Sequence, residues 1–282
     1  MLFGFLNIYK PVGMTSHDVV AVMRKKTGIK QIGHTGTLDP FAEGVLPICI
    51  GKATRLIEYL SDDKEYLATI QFGCATTTYD IEGETIFTSD KKIADKDVEE
   101  ALKAFFGEIE QYPPIYSAIK VKGKKLYEYA RKGEEVEIKP RKVFIENIEL
   151  KAFDAKLQQA QILIKCSKGT YIRSIANDLG KNLEVGAHLI NLVRTQAGKF
   201  RVENSIKLED INIEKDIINP IKMLGLPVIN VDDCDLEKIK NGILLNKKTN
   251  YTNFVILVYN NDTICAVGQV DSGNIKLKKV FL

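Results

Sequence analysis

The pattern of hydrophobic and polar residues along the chain predicts two clear helices. Residues 15–28 fit an amphipathic helix, because Thr15 and Asp18 have the spacing of a capping box and Gly28 suits its C-terminal end. A second helix is predicted over residues 95–107, where apolar side chains recur at helical spacing. Both helices should bury one face against a core.

Other segments show the shorter period of β-strands. Residues 66–72, 143–150 and 161–167 are rich in apolar and β-branched side chains, and the last of them alternates clearly. Near the end, apolar runs at 254–259 and 264–270 flank two asparagines and an aspartate, which predicts a β-hairpin. Helices mixed with hairpin-linked strands indicate an α+β fold rather than a doubly wound sheet.

A change in composition near residue 225 predicts a domain boundary. Pro220, Gly225 and Pro227 interrupt the chain between a mixed helical and stranded body and a β-rich tail. We therefore predict a main domain over residues 1–224 and a small β-rich domain over residues 225–282.

Composition narrows the class of protein. The 282 residues are 45% hydrophobic and 27% charged, which is typical of a soluble globular chain. The apolar runs are too short to span a bilayer and no export signal is evident at the start, so we expect a cytoplasmic protein without a membrane partner. The five cysteines form no C-x-x-C pair and the three histidines are far apart. We expect no metal site and no cofactor.

Charge is concentrated in one segment although the net charge is only +3. Residues 117–142 carry nine lysines and arginines against four glutamates, together with Tyr127 and Tyr129. A basic segment with aromatic side chains can follow a phosphate backbone and stack on bases. A solvated, lysine-rich hairpin explains the same composition, and both interpretations stay open here.

Two loops carry candidate chemistry. In residues 33–40, Asp39 directly precedes a proline, which biases it away from helical geometry and suits either a fixed nucleophile or an acceptor for turn amides. In residues 168–174, Arg173 follows a predicted strand and opens a short helix that Gly180 is expected to end. This arginine can pair with a buried carboxylate, hold a phosphate or lie on the surface.

Taken together, the segments resemble the TruB family of bacterial tRNA pseudouridine synthases. The resemblance covers about residues 3–200, and its motifs occur in family order. They are K-P-x-G-x-T-S at Lys10–Ser16, G-H-x-G-T-L-D-P-x-A-x-G-x-L-P at Gly33–Pro47, Lys64-Glu65-Tyr66, the segment 113–120, Gly123 with Tyr127, Ala130-Arg131, the segment 169–174, and the segment 188–195.

The resemblance implies a fold and a reaction. The fold is a pseudouridine synthase fold with a mixed, mainly antiparallel central sheet flanked by helices, followed by a small PUA-like RNA-binding domain. The reaction converts a uridine of the tRNA T loop, position 55 in tRNA numbering, into pseudouridine after the base is flipped out. It requires no cofactor.

The resemblance also implies roles for individual residues. Asp39 would be the catalytic carboxylate, attacking the ribose C1′ or promoting a glycal route, and the sequence leaves these two open. Arg173 would pair with it and keep it ionised despite burial. Tyr66 would stack on the target base, and Tyr171 and Leu192 would line the uracil pocket, although Leu192 equally fits a core position.

Two further substrate-binding assignments depend on the resemblance alone. His34 would enter the RNA loop at the place that the flipped base has left. Lys10 would either contact RNA or pack beside the catalytic loop.

Three other classes of function share features with this sequence. The guide-RNA-dependent synthases of archaea and eukaryotes share the aspartate motif, but the compact length and the residues after Pro40 favour a stand-alone enzyme without guide RNA. An RNA-binding or tRNA-folding protein is a second class. A glycoside hydrolase is disfavoured because no second acid stands out near Asp39. We expect a monomer that binds the T stem-loop of tRNA.

Overall fold

The computed structural model describes residues 2–247, 249–271 and 273–282. Its helices are α1 Ser16–Thr27, α2 Asp95–Leu102, α3 Leu126–Lys132, α4 Ile172–Asn182, α5 Ile213–Asp216, α6 Pro220–Leu224 and α7 Asp233–Lys240. Its strands are β1 Gly4–Lys10, β2 Ile32–His34, β3 Glu43–Ile50, β4 Lys64–Phe72, β5 Cys74–Thr76, β6 Thr85–Thr88, β7 Gly107–Gln111, β8 Lys120–Val121, β9 Lys124–Lys125, β10 Arg141–Asp154, β11 Gln159–Cys166, β12 Ala187–Ala197, β13 Phe200–Arg201, β14 Ile206–Lys207, β15 Val228–Val231, β16 Phe254–Tyr259, β17 Thr263–Asp271 and β18 Asn274–Val280.

A ten-stranded mixed sheet forms the body of the molecule. Its strands run in the order β14-β1-β3-β12-β4-β11-β10-β7, with β2 added beside β3 and β13 beside β12. Most neighbours are antiparallel, but β12 is parallel to β3 on one side and antiparallel to β4 on the other. The α+β class and the mainly antiparallel sheet predicted from the sequence are confirmed.

Helix α1 forms where the sequence predicted it. The Thr15 hydroxyl accepts from the backbone N–H of Asp18, and the Asp18 carboxylate accepts from that of Thr15, so the capping box is complete. Gly28 then ends the helix at φ 70°, a left-handed conformation that glycine adopts without steric cost.

Helix α4 covers the sheet and carries the predicted Arg173. The prediction that Gly180 ends this helix is wrong, because the helix continues to Asn182. A Cβ on Gly180 would lie 2.2 Å from the backbone nitrogen of Ala187. The glycine is therefore needed where the helix crosses closely over the start of β12, rather than as a terminator.

The β-rich tail forms a second sheet of four strands in the order β15-β16-β17-β18. The predicted hairpin joins β16 to β17, and Asn260 and Asn261 adopt φ values of 51° and 65° in its turn. This sheet shares a hydrophobic cluster with the main body. Members from both parts are Phe5, Val45, Leu224, Ile256, Val258 and Phe281. The division after residue 224 stays a prediction.

In the part of the chain that the structure describes, every helix is too short or too polar to cross a membrane.

Candidate active site

A cavity of about 650 Å³ opens between the start of β4, the middle of β12 and the loop that joins β2 to β3. Five of the seven site residues predicted from the sequence line it. They are Asp39, Tyr66, Tyr171, Arg173 and Leu192. Loops and strands that are distant in sequence therefore bring these side chains together, whereas His34 and Lys10 are not among the lining residues.

Asp39 and Arg173 form an ion pair in this cavity. The Arg173 Nε lies 2.9 Å from the Asp39 Oδ2. The arginine side chain is only 7% exposed, whereas that of Asp39 is 33% exposed and so remains reachable from the cavity. The first turn of α4 supplies the arginine and the loop before β3 supplies the carboxylate, so the sheet itself sets their separation.

A second carboxylate, which the sequence analysis missed, shares the same guanidinium. The Arg173 Nη1 lies 3.2 Å from the Oδ2 of Asp80, a residue that is 2% exposed. The Nη2 of Arg173 donates to the carbonyl oxygen of Tyr116 at 3.1 Å. Asp80 lies in a turn rich in threonine, where an aspartate is ordinary, so its role left no distinctive signal in the sequence.

The electrostatics of Asp39 reflect both neighbours. Burial raises the pKa of the Asp39 carboxyl above its ordinary value, the Arg173 guanidinium opposes this rise, and the Asp80 carboxylate adds to it. The motif had implied only burial and the Arg173 cation, and the Asp80 carboxylate adds a third influence. A carboxylate with a raised pKa is a stronger base and nucleophile in its ionised form than an ordinary one.

Tyr66 and Leu192 come from neighbouring strands, β4 and β12. They are 7% and 4% exposed, yet both contact the cavity, so each is at once a core residue and a wall of the site. Burial raises the pKa of the Tyr66 phenol, so the hydroxyl is protonated at neutral pH and can donate a hydrogen bond. An aromatic wall of this kind suits the face of a nucleobase.

Tyr171 is held in place by Gln111, which the sequence analysis also missed. The Gln111 Oε1 accepts from the backbone N–H of Tyr171 at 2.7 Å, and its Nε2 donates to the Tyr171 carbonyl at 3.0 Å. Because Gln111 ends β7 and is 3% exposed, this edge strand fixes the residue that precedes α4. Burial raises the pKa of the Tyr171 phenol above its ordinary value.

His34 lies beside the cavity rather than in it. Its ring is half-buried and meets the ring of His17 edge to face, with centroids 5.6 Å apart. Burial lowers the pKa of His34 to about 4, so the imidazole is neutral at physiological pH. A neutral ring suits stacking or hydrogen bonding better than an ionic contact with phosphate.

Lys10 is fully buried. Its Nζ donates to the carbonyl oxygens of Pro11 at 2.8 Å, Met14 at 2.7 Å and Pro40 at 3.3 Å. Burial lowers the pKa of this lysine to about 8. Of the two roles left open by the sequence, the geometry is that of packing beside the catalytic loop, since the side chain has no surface for RNA to contact.

The basic segment over residues 117–142 reaches the cavity from one side. Tyr127 and Arg131 of α3 line the cavity, and the Arg131 guanidinium lies over the Tyr127 ring at 5.2 Å. Most of its other cations point into solvent. The segment therefore joins the cavity to an exposed, positively charged surface.

Chemically, the geometry combines a reachable carboxylate, Asp39, with a buried arginine that pairs with it and an aromatic wall. Among the residues described, no group of three or more histidines, cysteines or acids is arranged to hold a metal ion. The arrangement suits chemistry at a carbon that the carboxylate approaches while the base attached to that carbon lies against Tyr66.

The chain matches known protein families and relatives along most of its length. Residues 24–172 match the family model described as TruB family pseudouridylate synthase (N terminal domain), and residues 173–218 match the tRNA pseudouridylate synthase B C-terminal domain. A protein of Caldanaerobacter subterraneus subsp. tengcongensis named tRNA pseudouridine synthase B is 46% identical over 288 residues, covering 99% of each chain. The protein of the same name from Carboxydothermus hydrogenoformans is 46% identical over 285 residues, covering 99% of this chain and 98% of its own.

Solved structures with similar folds were also found. The chain is similar to one in the crystal structure of a Cbf5-Nop10-Gar1 complex, with a TM-score of 0.74, 26% identity, and coverage of 99% of this chain and 85% of the other. It is also similar to a chain in the crystal structure of the archaeal box H/ACA sRNP Nop10-Cbf5 complex. The TM-score is 0.71 at 25% identity, and the match covers 99% of this chain and 86% of the other. The chain belongs to the TruB family of pseudouridylate synthases, and its predicted fold is confirmed.

Proposed function

We propose that this chain converts the T-loop uridine of tRNA, position 55, into pseudouridine, acting alone and without a cofactor. The observation that carries the proposal is the solvent-reachable Asp39 carboxylate, paired with the buried Arg173 inside a cavity whose wall is Tyr66. Relatives that match the chain along 99% of its length are named tRNA pseudouridine synthase B, which supports tRNA as the substrate.

The reaction breaks one bond and forms another. The bond from C1′ to the uracil N1 breaks, the base turns, and a bond from C1′ to C5 forms. The proton on C5 is lost and N1 gains one, so the product is an isomer and no oxidant or energy source is consumed. Asp39 acts on the sugar either by attacking C1′ or by promoting loss of the base through a glycal, and its raised pKa suits both roles.

Arg173 and Asp80 prepare this carboxylate for reaction. The guanidinium fixes the direction of Asp39 from one side, and the almost fully buried Asp80 fixes the guanidinium in turn. Such preorganisation lowers the reorganisation that the reaction requires when charge shifts at C1′.

Substrate binding follows from the shape and charge of the site. A uridine must leave its RNA loop to reach Asp39, at a cost of a few kcal/mol. Stacking on Tyr66 returns about 1–3 kcal/mol, and lysines and arginines of the basic segment contact phosphates. Tyr171 and Leu192 close around the uracil, and His34 occupies the place that the base leaves in the RNA loop.

The stand-alone mode distinguishes this proposal from the guide-dependent one. The chain is 46% identical to a protein named tRNA pseudouridine synthase B. It is only 25–26% identical to the chains from Cbf5 complexes. We propose a cytoplasmic monomer that needs no guide RNA, which sedimentation of the purified protein and an assay without other RNA will test.

The decisive experiment uses unmodified tRNA transcripts and purified protein in EDTA, with pseudouridine mapped by site-specific chemical labelling. We expect label at the T-loop uridine alone. In Asp39→Asn the rate should fall by at least about 10³-fold, because the reacting carboxylate is lost, while tRNA still binds. The matched control is Asp62→Asn, which removes a carboxylate that lines the same cavity but pairs with Lys168 instead.

Each outcome has a clear meaning. Tight tRNA binding by the wild-type protein without any label would contradict the proposal and favour a tRNA-folding or guide-dependent protein. Label at another uridine would leave a pseudouridine synthase with a different target. An equal loss in Asp62→Asn would mean that Asp39 has no special role.

A further inference from the structure

Arg194 is a fully buried cation to which the sequence analysis gave no role. It lies on β12, directly opposite Tyr66 of β4 and Gly44 of β3 in the sheet register. Its side chain is 0% exposed and is the largest among the fully buried side chains. A residue with this charge and size at the centre of a sheet calls for a physical reason.

The guanidinium of Arg194 is bound by backbone carbonyls rather than by an acid. Its Nε donates to Val45 at 2.6 Å, its Nη1 to Thr37 at 3.2 Å and its Nη2 to Gly36 at 3.1 Å. It forms no ion pair with any carboxylate of the described residues. Burying a cation is costly unless such hydrogen bonds satisfy it, so these contacts are what keep it there.

Two of the three carbonyls that Arg194 binds, those of Gly36 and Thr37, belong to the loop that carries Asp39. The planar fork of a guanidinium suits two neighbouring acceptors, here the carbonyls of Gly36 and Thr37. The next residue, Leu38, exchanges two hydrogen bonds with the Ser16 hydroxyl, at 2.9 and 3.1 Å. The backbone is therefore held by side chains up to the residue before Asp39.

Arg194 is also linked to the aromatic wall of the cavity. It is the cross-strand partner of Tyr66, and its positive charge opposes the rise that burial causes in the pKa of the Tyr66 phenol. The same positive charge contributes to lowering the pKa values of His34 and Lys64. Arg194 thus binds the catalytic loop and lies directly opposite the residue against which the base is proposed to stack.

Gly44 makes this arrangement possible. Its φ is +106°, and a Cβ at this position would lie 2.4 Å from the carbonyl oxygen of Arg194. Only glycine allows β3 to come this close to β12, which brings the arginine beneath the loop. The glycine of the sequence motif and the arginine of a segment 150 positions later therefore belong to one structural device.

We infer that Arg194 is a positioning residue, which holds the Asp39 loop at a fixed separation from its own cross-strand partner, Tyr66. The inference rests on the proposed function, because the separation matters only if a base on Tyr66 must meet the carboxylate at its sugar carbon. Misplacement of a reacting group by about 1 Å can slow a reaction by about 100-fold.

The test compares Arg194→Lys and Arg194→Met with the wild-type protein. Lysine keeps the charge but reaches fewer carbonyls than the fork, and methionine removes the charge. We expect the single-turnover rate, corrected for the folded fraction, to fall about 10- to 100-fold in Arg194→Lys and further in Arg194→Met. The Kd for tRNA should stay within about threefold, since the RNA-facing surface is unchanged.

A second measurement, hydrogen exchange, reports on the rigidity of the Asp39 loop itself. Hydrogen exchange of a peptide covering residues 33–42 should become about tenfold faster in Arg194→Lys, while peptides of the C-terminal sheet keep their protection. Arg201→Lys, an arginine exposed on the neighbouring β13, is the matched control for the substitution. Leu257→Ala in the C-terminal sheet controls for a general loss of stability.

The outcomes separate this inference from the proposed function. If the wild-type protein forms no pseudouridine, the proposed function fails, and the exchange of residues 33–42 still reports whether Arg194 holds the loop. With an active wild type, the inference is overturned if the corrected rate or the local exchange of Arg194→Lys stays at the wild-type value. It is also overturned if Leu257→Ala changes both by as much. Should Arg194→Met fail to fold, Arg194→Lys carries the test.

Discussion

The loop that carries Asp39 and the basic segment over residues 117–142 meet at the same cavity but are held in opposite ways. Side chains buried in the core bind the carbonyls of the loop, from Arg194 before Asp39 to Lys10 after it. In the basic segment, ion pairs join side chains that are about half exposed, such as Lys124 with Glu134 at 3.7 Å. Exposed pairs of this kind contribute little to stability.

The rigid loop and the exposed basic segment suit two different tasks, catalysis and RNA binding. Chemistry at a sugar carbon needs a carboxylate whose position is fixed before the substrate arrives, and buried hydrogen bonds supply that rigidity. Contact with an RNA backbone needs charge over a broad area and tolerates adjustment. Substitutions of the buried side chains that hold the Asp39 loop should therefore lower the rate constant of the chemical step. Substitutions in the basic segment should instead weaken the affinity for RNA.

The largest effect is expected from removing the cation between the two carboxylates. Arg173→Met should slow the single-turnover rate about 10²- to 10³-fold and destabilise the fold by about 3–5 kcal/mol, because Asp80 is left buried without its partner. Loss of the guanidinium also raises the pKa of Asp39 further, so the acidic limb of the rate profile should move to higher pH.

Single-turnover rates across pH and urea unfolding measure these effects. The rate and stability of Arg173→Lys should lie between those of the wild type and of Arg173→Met, because lysine keeps the positive charge. Lys181→Met, an exposed position on the same helix, is the control and should behave as wild type. A rate for Arg173→Met within twofold of wild type would contradict the assignment of preorganised chemistry to this region.

A smaller and opposite shift is expected from Asp80→Asn. The Asp80 charge raises the pKa of Asp39, so its removal should lower that pKa and move the acidic limb of the rate profile to lower pH. The plateau rate should fall about tenfold, since Arg173 loses one of its two carboxylate anchors. A shift of the limb to higher pH would show that Asp80 acts through some other route. Asp62→Asn, whose carboxylate pairs with Lys168, should leave the limb in place.

The smallest effect on rate belongs to the basic segment. Replacing Lys124 and Lys132 by glutamine should raise KM about 3- to 10-fold while the single-turnover rate at saturation stays within about twofold. The slope of log affinity against log salt should become shallower by about 0.7–0.9 for each lysine that contacts a phosphate. The same changes at Lys92 and Lys96, both exposed outside the segment, are the control.

If the Lys124 and Lys132 double variant instead slowed the saturated rate and left KM unchanged, the two regions would share one task and the contrast would fail.

Local patterns predicted much of the secondary structure. Helix α1, strands β4, β10 and β11, and the terminal hairpin follow from capping residues, alternation and turn residues, all of which act over a few neighbours. The central strands β3 and β12 were not predicted. In β3 nearly every side chain is buried, so the alternation that marks a half-exposed strand is absent.

Motif order alone was enough to predict the family and the residues Asp39, Tyr66, Tyr171, Arg173 and Leu192 that line the cavity. The sequence could not place Lys10, because a lysine is normally exposed and only the fold shows that three carbonyls surround it. Asp80 was missed for a related reason, since its partner Arg173 is 93 positions away along the chain.

What the sequence determined by itself is therefore the class of fold, the family and five of the residues that line the cavity, since these depend on short patterns and their order. Only the tertiary structure decided which charges share a partner: Arg173 lies between Asp39 and Asp80, and Arg194 beneath the loop. Electrostatic and hydrogen-bond energies depend on distance in space, and the order of strands in the sheet sets that distance.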